Sequence, residues 1–299
     1  MKVNFSIVIP SGRPDRVFHT VEGLRRQSMD RAQYEIIIVT PEPENMQELK
    51  AAGVRIIGVE RLYAPGKMRN IGASVASGEI LFFIDDDCIP PPNWLERLMA
   101  TLKGKKNIGA VGCRVVGLDG SFWSRCADYA LFASYQYHKR IVCNLGSAAI
   151  GVRREAFEDV HGFDEELLAS EDWDFSLKLK EKNWICLFDP SVEVKHDHRC
   201  RTLKRIIVKA YLFGHYAGLV VQARHSKNIS WLARISVRLQ NTLFYSLMIF
   251  PYGLALTFLY TTSFVRNDRK IGFYLPFMLI SYITCHIGVF CKLLSSRRC

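Results

Sequence analysis

Glu79-Ile80-Leu81-Phe82-Phe83-Ile84-Asp85-Asp86-Asp87-Cys88 sets an apolar run directly against three acids. Ile80 to Ile84 carries no polar residue, follows Gly78 and ends at a carboxylate. That pattern is expected of a short strand buried on both faces. Three like charges at the end of a buried strand are costly unless something neutralises them. A hard divalent cation with oxygen ligands does so and often bridges to phosphate. Ligands in open α/β sheets lie beyond the carboxyl ends of the strands, where Asp85, Asp86 and Asp87 stand. A solvated acidic loop is the plainer alternative.

The flanking segments place this strand in a βα series. Phe5 to Pro10 reads as a first buried strand, Arg16 to Gln27 as an amphipathic helix and Glu35 to Val39 as a second strand. Asn45 to Ala52 reads as a short helix and Val54 to Val59 as a third strand. A β-α-β-α-β order at this spacing predicts a parallel, doubly wound sheet, a fold half that commonly binds nucleotides. Gly66-Lys67-Met68-Arg69-Asn70-Ile71-Gly72 departs from the GxxxxGK[ST] phosphate loop. It reads as a glycine-opened helix whose early cations oppose the helix dipole, which an anionic partner such as a diphosphate would offset.

Beyond the acids, Pro90-Pro91-Pro92 leads into a helix from Trp94, with Leu95, Leu98 and Leu102 on its apolar side. Ile108 to Val116 is a further strand, Arg153 to Val160 a helix and Leu187 to Lys195 a last strand. Ser121 to Arg140 is aromatic and polar without a clear period. Gly146-Ser147-Ala148 offers small residues where backbone or ligand can come close. Ser170 reads as the N-cap of a helix whose first turn holds Glu171, Asp172 and Asp174, and dipole compensation alone accounts for those acids. His196 and His198 follow the last strand and are candidate metal ligands.

Composition bounds the rest. The 299 residues are 49% hydrophobic and carry a formal charge of +11, which suits a large core and an anionic partner. The nine cysteines show no CxxC spacing, so the thiols are expected reduced in a cytosolic setting. Met1 to Pro10 reads as a strand, not a secretory leader. Arg199 to Arg238 is rich in cations, with Leu203, Ile206, Ile207, Ala210 and Phe213 at helical spacing. This is expected of a basic amphipathic helix on an anionic membrane or packed against the rest of the protein. Nucleic acid is a poorer partner, because the aromatics do not interleave with the charges. Leu243 to Val265 and Ile271 to Cys291 are free of charge, and each exceeds the roughly 20 residues that span a bilayer. Arg266-Asn267-Asp268-Arg269-Lys270 joins them as a hairpin, expected with both ends in the cytosol; a buried helical pair in a soluble core, or a hairpin dipping into one leaflet, is the alternative.

Taken in order, these segments resemble the family 2 glycosyltransferases of GT-A fold. The resemblance rests on Ile9-Pro10, Lys67-Met68-Arg69-Asn70-Ile71-Gly72-Ala73, Gly78-Glu79-Ile80, Phe83 to Asp87, Gly146-Ser147-Ala148, His161-Gly162-Phe163-Asp164-Glu165, Glu171-Asp172 and His196. It implies a catalytic domain over 1–225 with a Rossmann-like, mostly parallel sheet; the charge-free segments, outside the resemblance, make 226–299 the expected membrane region. It implies that Asp87 and His196 hold Mn²⁺ or Mg²⁺, with His198 the lesser choice. Asp85 and Asp86 would reach the ribose or sugar; Pro10, Ser11, Gly12 and Thr40 would lie at the base, and Lys67 and Arg69 near the phosphates. Asp172 would be the base, with Gly146, Ser147 and Glu171 on the acceptor side.

The activity so implied is inverting transfer of one sugar from a nucleotide-sugar, UDP first among nucleotides, to a glycan or lipid-linked acceptor in envelope polysaccharide assembly. Two departures bear on it. Thr40-Pro41-Glu42-Pro43 stands where relatives carry Asp-Asp-Gly-Ser, which loosens the prediction of the base. No QxxRW follows, since Gln222-Ala223-Arg224-His225 and Trp231 do not form it, so a non-processive enzyme is expected. A sugar-phosphate nucleotidyltransferase or a non-catalytic binding subunit are the competing readings.

Overall fold

The computed structural model describes residues 3–12, 14–132, 138–223 and 268–295, together with 255, 258, 259 and 262. The chain divides into two compact units, Met1–Val115 with His138–Asp197, and Val116–Tyr137 with His198–Cys299.

The first unit is built on one sheet. Its strands are β1 (Phe5–Pro10), β2 (Tyr34–Thr40), β3 (Arg55–Gly58), β4 (Ile80–Ile84), β5 (Cys88–Ile89), β6 (Ile108–Gly117), β7 (Arg140–Ile141), β8 (Ala149–Arg153) and β9 (Ile185–His196). Among the described residues they run β3-β2-β1-β4-β8-β6-β9-β5, with β7 on β9. β3, β2, β1 and β4 are parallel, the expected nucleotide-binding half. β8 continues the sheet antiparallel to β4 and β6, and β9 is antiparallel to β5 and β7.

Alternation along the central strands explains their unbroken apolar sequence. Ile7, Ile9, Ile36, Ile38, Phe82 and Ile84 face one layer, where α1 (Pro14–Arg25) contributes Val17, Val21 and Leu24, and α4 (Trp94–Lys103) contributes Trp94, Leu95 and Leu98. Val8, Leu81 and Phe83 face the other, against α6 (Arg154–Asp159) and α7 (Glu171–Glu181), while Ile37 and Val39 meet Met68 of α3 (Pro65–Val75). Both faces are covered, so each large side chain contributes about 1.5–3 kcal/mol on burial. Gly72 lets α3 close on the sheet: a Cβ there would lie 2.3 Å from Val8 Cγ1. The intervening short helix is α2 (Gln47–Ala51), entered through a 3₁₀ turn at Pro43–Met46.

Two local expectations are revised. Ser170 occupies the N-cap position of α7, but it adopts φ +63° and makes no capping hydrogen bond, because a left-handed residue turns its side chain from the helix end. The unassigned stretch after Ser121 is a helix, α5 (Phe122–Ala130), capped by Ser121, whose hydroxyl accepts from Ser124 N at 3.3 Å.

The second unit gathers α5, α8 (Leu203–Ala223) and α9 (Ile271–Ser295). α8 packs along α9 at two glycines. A Cβ on Gly214 would meet Cys285 O at 1.8 Å, and one on Gly288 would meet Tyr211 O at 2.3 Å. Ile206, as the amphipathic pattern predicts, is buried with Cys126, Cys200 and Tyr274. The segment Ile271–Val289 is, by length and composition, the one helix among the described residues that could cross a membrane. The other predicted span, 243–265, falls almost entirely outside the described residues, as does 224–250.

Candidate functional site

The acids at the end of β4 are held in three different ways. The turn after Ile84 is fixed by Asp85 N donating to Ala148 O at 3.1 Å and Cys88 N donating to Asp85 O at 3.1 Å. Asp86 is buried, and its Oδ2 accepts from Ser11 Oγ at 3.1 Å and from Gly12 N at 3.2 Å. It therefore ties the loop after β1 to the acids. Asp85 Oδ1 accepts from Arg69 Nη2 at 2.7 Å.

Asp87 is placed by strand register. Cys88 pairs with His196 across β5 and β9, and Asp197 N donates to Asp87 O at 3.0 Å. His196 Nε2 thus lies 3.2 Å from Asp87 Oδ1. The donor atoms of Asp87, Cys88 and His196 all fall within 4.8 Å of one another. A carboxylate beside an imidazole suits Mn²⁺ or Mg²⁺. Cys88 is a poor ligand for a hard cation, since burial, then the charges of Asp85 and Asp87, push its thiol well above the ordinary value. His198 has partners of its own: its Nε2 is 2.6 Å from Asp128 Oδ1, and its ring stacks on Phe132 at 4.0 Å, all within the second unit.

A single guanidinium joins these acids to the start of α7. Arg69 is 2% exposed; besides Asp85 it donates from Nη1 to Glu171 Oε1 at 2.7 Å. Ser147 Oγ donates to the same oxygen at 3.3 Å. Asp172, next in the chain, is half-buried, with Oδ1 accepting from Trp173 N at 2.8 Å. Desolvation, then the neighbouring Glu171 charge, raises its pKa from 3.8 to about 7 against the opposing influence of Arg69 and the Trp173 and Ser147 amides. A Cβ on Gly146 would lie 4.0 Å from Asp172 Oδ2, so the small residue leaves that carboxylate room.

Other expected residues are placed less centrally. Lys67 sits 3.8 Å from Glu165 and 4.4 Å from the Tyr63 ring centroid. Thr40 is fully buried, and its hydroxyl accepts from Glu42 N at 3.2 Å, closing the turn that replaces the acidic motif. Pro10 ends β1, and Ser11 N donates to Val39 O at 2.8 Å.

Sequence reading overlooked three contributors. Asn70 grips the turn before α7: its Oδ1 accepts from Phe163 N at 3.0 Å, and its Nδ2 donates to Phe163 O at 3.0 Å. Arg16 pairs with Asp197, beside His196. Cys88 joins the Asp87 cluster. Asn70, within the Lys67–Ala73 motif, and Cys88, directly after the three acids, carried a sequence signal; Arg16 carried none.

The site can be set beside known proteins. The sequence model described as "Glycosyl transferase family 2" matches residues 6–160. The pre-mycofactocin glycosyltransferase of Mycobacterium tuberculosis is 32% identical over 168 residues, covering 53% of this chain and 35% of the relative. The chain therefore spans about a third of that relative's length. An uncharacterized glycosyltransferase of Haemophilus influenzae is 25% identical over 241 residues, covering 74% of this chain and 79% of its own. Among solved structures, the Pyrobaculum calidifontis mannosyltransferase PcManGT, in complex with GDP-Man and Mn²⁺, superposes with a TM-score of 0.64 at 14% identity, covering 96% of this chain and 87% of that one. That likeness is one of fold, the GT-A class.

Proposed function

The chain belongs to glycosyl transferase family 2, and from that footing we propose that it transfers one sugar, with inversion, from a nucleoside-diphosphate sugar to an acceptor hydroxyl. The observation that carries the proposal is Arg69, whose two ion pairs bring the acids after β4 and the Glu171–Asp172 pair to one place. A nucleotide half with acids at its strand ends serves the donor; a carboxylate raised to about 7 serves the acceptor.

In this reading Asp172 takes the acceptor proton as the acceptor oxygen bonds to the anomeric carbon. The bond from that carbon to the diphosphate breaks, and the nucleoside diphosphate leaves with the electron pair. A base with pKa near neutral is about half ionised at neutral pH, and its ionised form is a competent proton acceptor. Asp87 and His196 would hold a divalent cation, which when bound stabilises charge on the departing diphosphate. The loop Pro10-Ser11-Gly12, fixed by Asp86, borders the base, with Thr40 behind it. Lys67 is exposed enough to reach a phosphate, whereas Arg69 acts from behind Asp85. Gly146, Ser147 and Glu171 border the acceptor.

Membrane association is supported by the apolar length of Ile271–Val289. It favours a lipid-linked or membrane-delivered acceptor, with the catalytic unit facing the cytosol, where nucleotide-sugars are made. The two-span arrangement rests on the sequence alone. The test is donor turnover with Mn²⁺ or Mg²⁺ across a panel of UDP- and GDP-sugars. Release of nucleoside diphosphate is expected. Pyrophosphate released instead from a nucleoside triphosphate and a sugar 1-phosphate would make the chain a nucleotidyltransferase, and silence throughout would leave a binding subunit.

A further inference from the structure

The amino ends of α5, α8 and α9 meet in the second unit, and their surface combines exposed rings with exposed cations. The Phe122 ring lies 6.2 Å from Phe273 and 5.6 Å from Phe277, and Trp123 lies 6.0 Å from Phe277. Ile206, in the first turn of α8, is buried with Tyr274 of α9 and Cys126 of α5. Leu118, Phe122 and Phe273 are nonetheless 47%, 43% and 64% exposed. Scattered exposed apolar residues need no explanation, but contiguous rings beside cations do.

The cations are Arg201, Lys204 and Arg205 at the start of α8, and Arg269 and Lys270 just before α9. All five are exposed, and among the described residues none forms an ion pair. Neither helix has an acid in its first turn. Positive charge at a helix amino end opposes the dipole, so this arrangement costs stability until an anion arrives. The nearby acids supply little of it. Asp119, which accepts from Ser121 N at 2.9 Å, also faces the charge of Arg201, while Asp128 is held by His198 and Asp268 by Tyr129.

We propose that this rim docks on an anionic lipid surface, with Leu118, Phe122 and Phe273 at headgroup depth and the five cations against lipid phosphates. Rings at the interface and a basic stripe above them are what a bilayer surface selects. A soluble acidic protein would leave the rings in water, and a second copy of this chain would bring like charges together. The proposal deepens the membrane reading above and rests on it; it does not depend on the sugar-transfer chemistry.

The experiment partitions the full chain, diluted from detergent, onto vesicles of phosphatidylcholine alone or with about 30 mol % phosphatidylglycerol. Wild type should favour the anionic vesicles by about tenfold or more, each cation near the surface adding to the preference. Combining Arg201→Glu, Lys204→Glu and Arg205→Glu should bring the preference to near unity. Lys204→Gln with Arg205→Gln gives a milder version, should the reversals misfold. Lipids brominated near the headgroup should quench Trp123. A wild-type preference near unity, an unchanged preference in the variants, or unquenched Trp123 each overturns the rim. Donor turnover without vesicles separates the two readings. A chain that releases nucleoside diphosphate yet ignores lipid charge keeps the transferase and loses the rim. A chain silent toward donors that still prefers anionic vesicles keeps the rim.

Discussion

Arg69 and Glu171 lie 102 residues apart in sequence and meet at 2.7 Å inside the protein. The same guanidinium reaches Asp85 at 2.7 Å. A buried cation between two carboxylates is expensive to desolvate and depends on both partners. It fixes the distance between the acids after β4 and the helix that carries Asp172.

Removing that cation strands two acids. Arg69→Gln should cost about 3–5 kcal/mol of stability, the range for breaking a buried ion pair. Arg69→Lys should lose less stability but still lose turnover, because an ammonium cannot span both partners with a planar fork. Denaturant unfolding of both variants checks the order. Equal stability of wild type and Arg69→Gln would show that the bridge contributes nothing.

Asp172→Asn should keep donor binding and lower transfer by about 10²–10⁴-fold, the usual contribution of a positioned base. Isothermal titration with the donor, beside steady-state rates, separates the two effects. Unchanged turnover would remove Asp172 from the base role.

The raised pKa of Asp172 sets two opposite pH trends. Its folded value of about 7 exceeds the ordinary 3.8, so the protonated form favours folding. Its stabilising contribution is complete below about pH 4 and is lost as pH rises through about 7. Transfer needs the ionised form and should rise through the same window. Rate profiles should inflect near neutral pH in wild type and flatten in the residual rate of Asp172→Asn. A wild-type rate that is level from pH 5 to 8, a window of about 3 units around the expected midpoint, would contradict the assignment.

Mn²⁺ binding distinguishes the two histidines. His196→Ala and Asp87→Ala should each weaken Mn²⁺ by at least tenfold, read by calorimetry on folded protein. His198→Ala should leave Mn²⁺ binding intact and lower Tm, because it uncovers the buried Asp128. Loss of Mn²⁺ in His198→Ala alone would transfer the ligand role to that residue.

Much of the sheet was legible because local sequence encodes it. Five successive apolar residues from Ile80 to Ile84 can be satisfied only by cover on both faces, and the βα spacing of the opening strands forces parallel pairing. The dense motif from Lys67 to Ala73 and the acids after Ile84 also stood out, and the structure brings Arg69 of the first to 2.7 Å from Asp85 of the second. The stretch after Ser121 was opaque, since a short helix whose rings pack on distant α9 has no local period strong enough to announce itself.

Which member of each motif meets which was a tertiary matter. His196 and His198 look alike in sequence, yet the antiparallel register of Cys88 with His196 sends the first to Asp87, and Asp128 captures the second. Arg69 reads as a cation awaiting phosphate, but burial between Asp85 and Glu171 makes it a brace. The chain alone specified which residue types stand at strand ends, because burial and periodicity are local demands. Their partners were decided by pairing across long sequence separations, where register and desolvation choose among equally charged candidates.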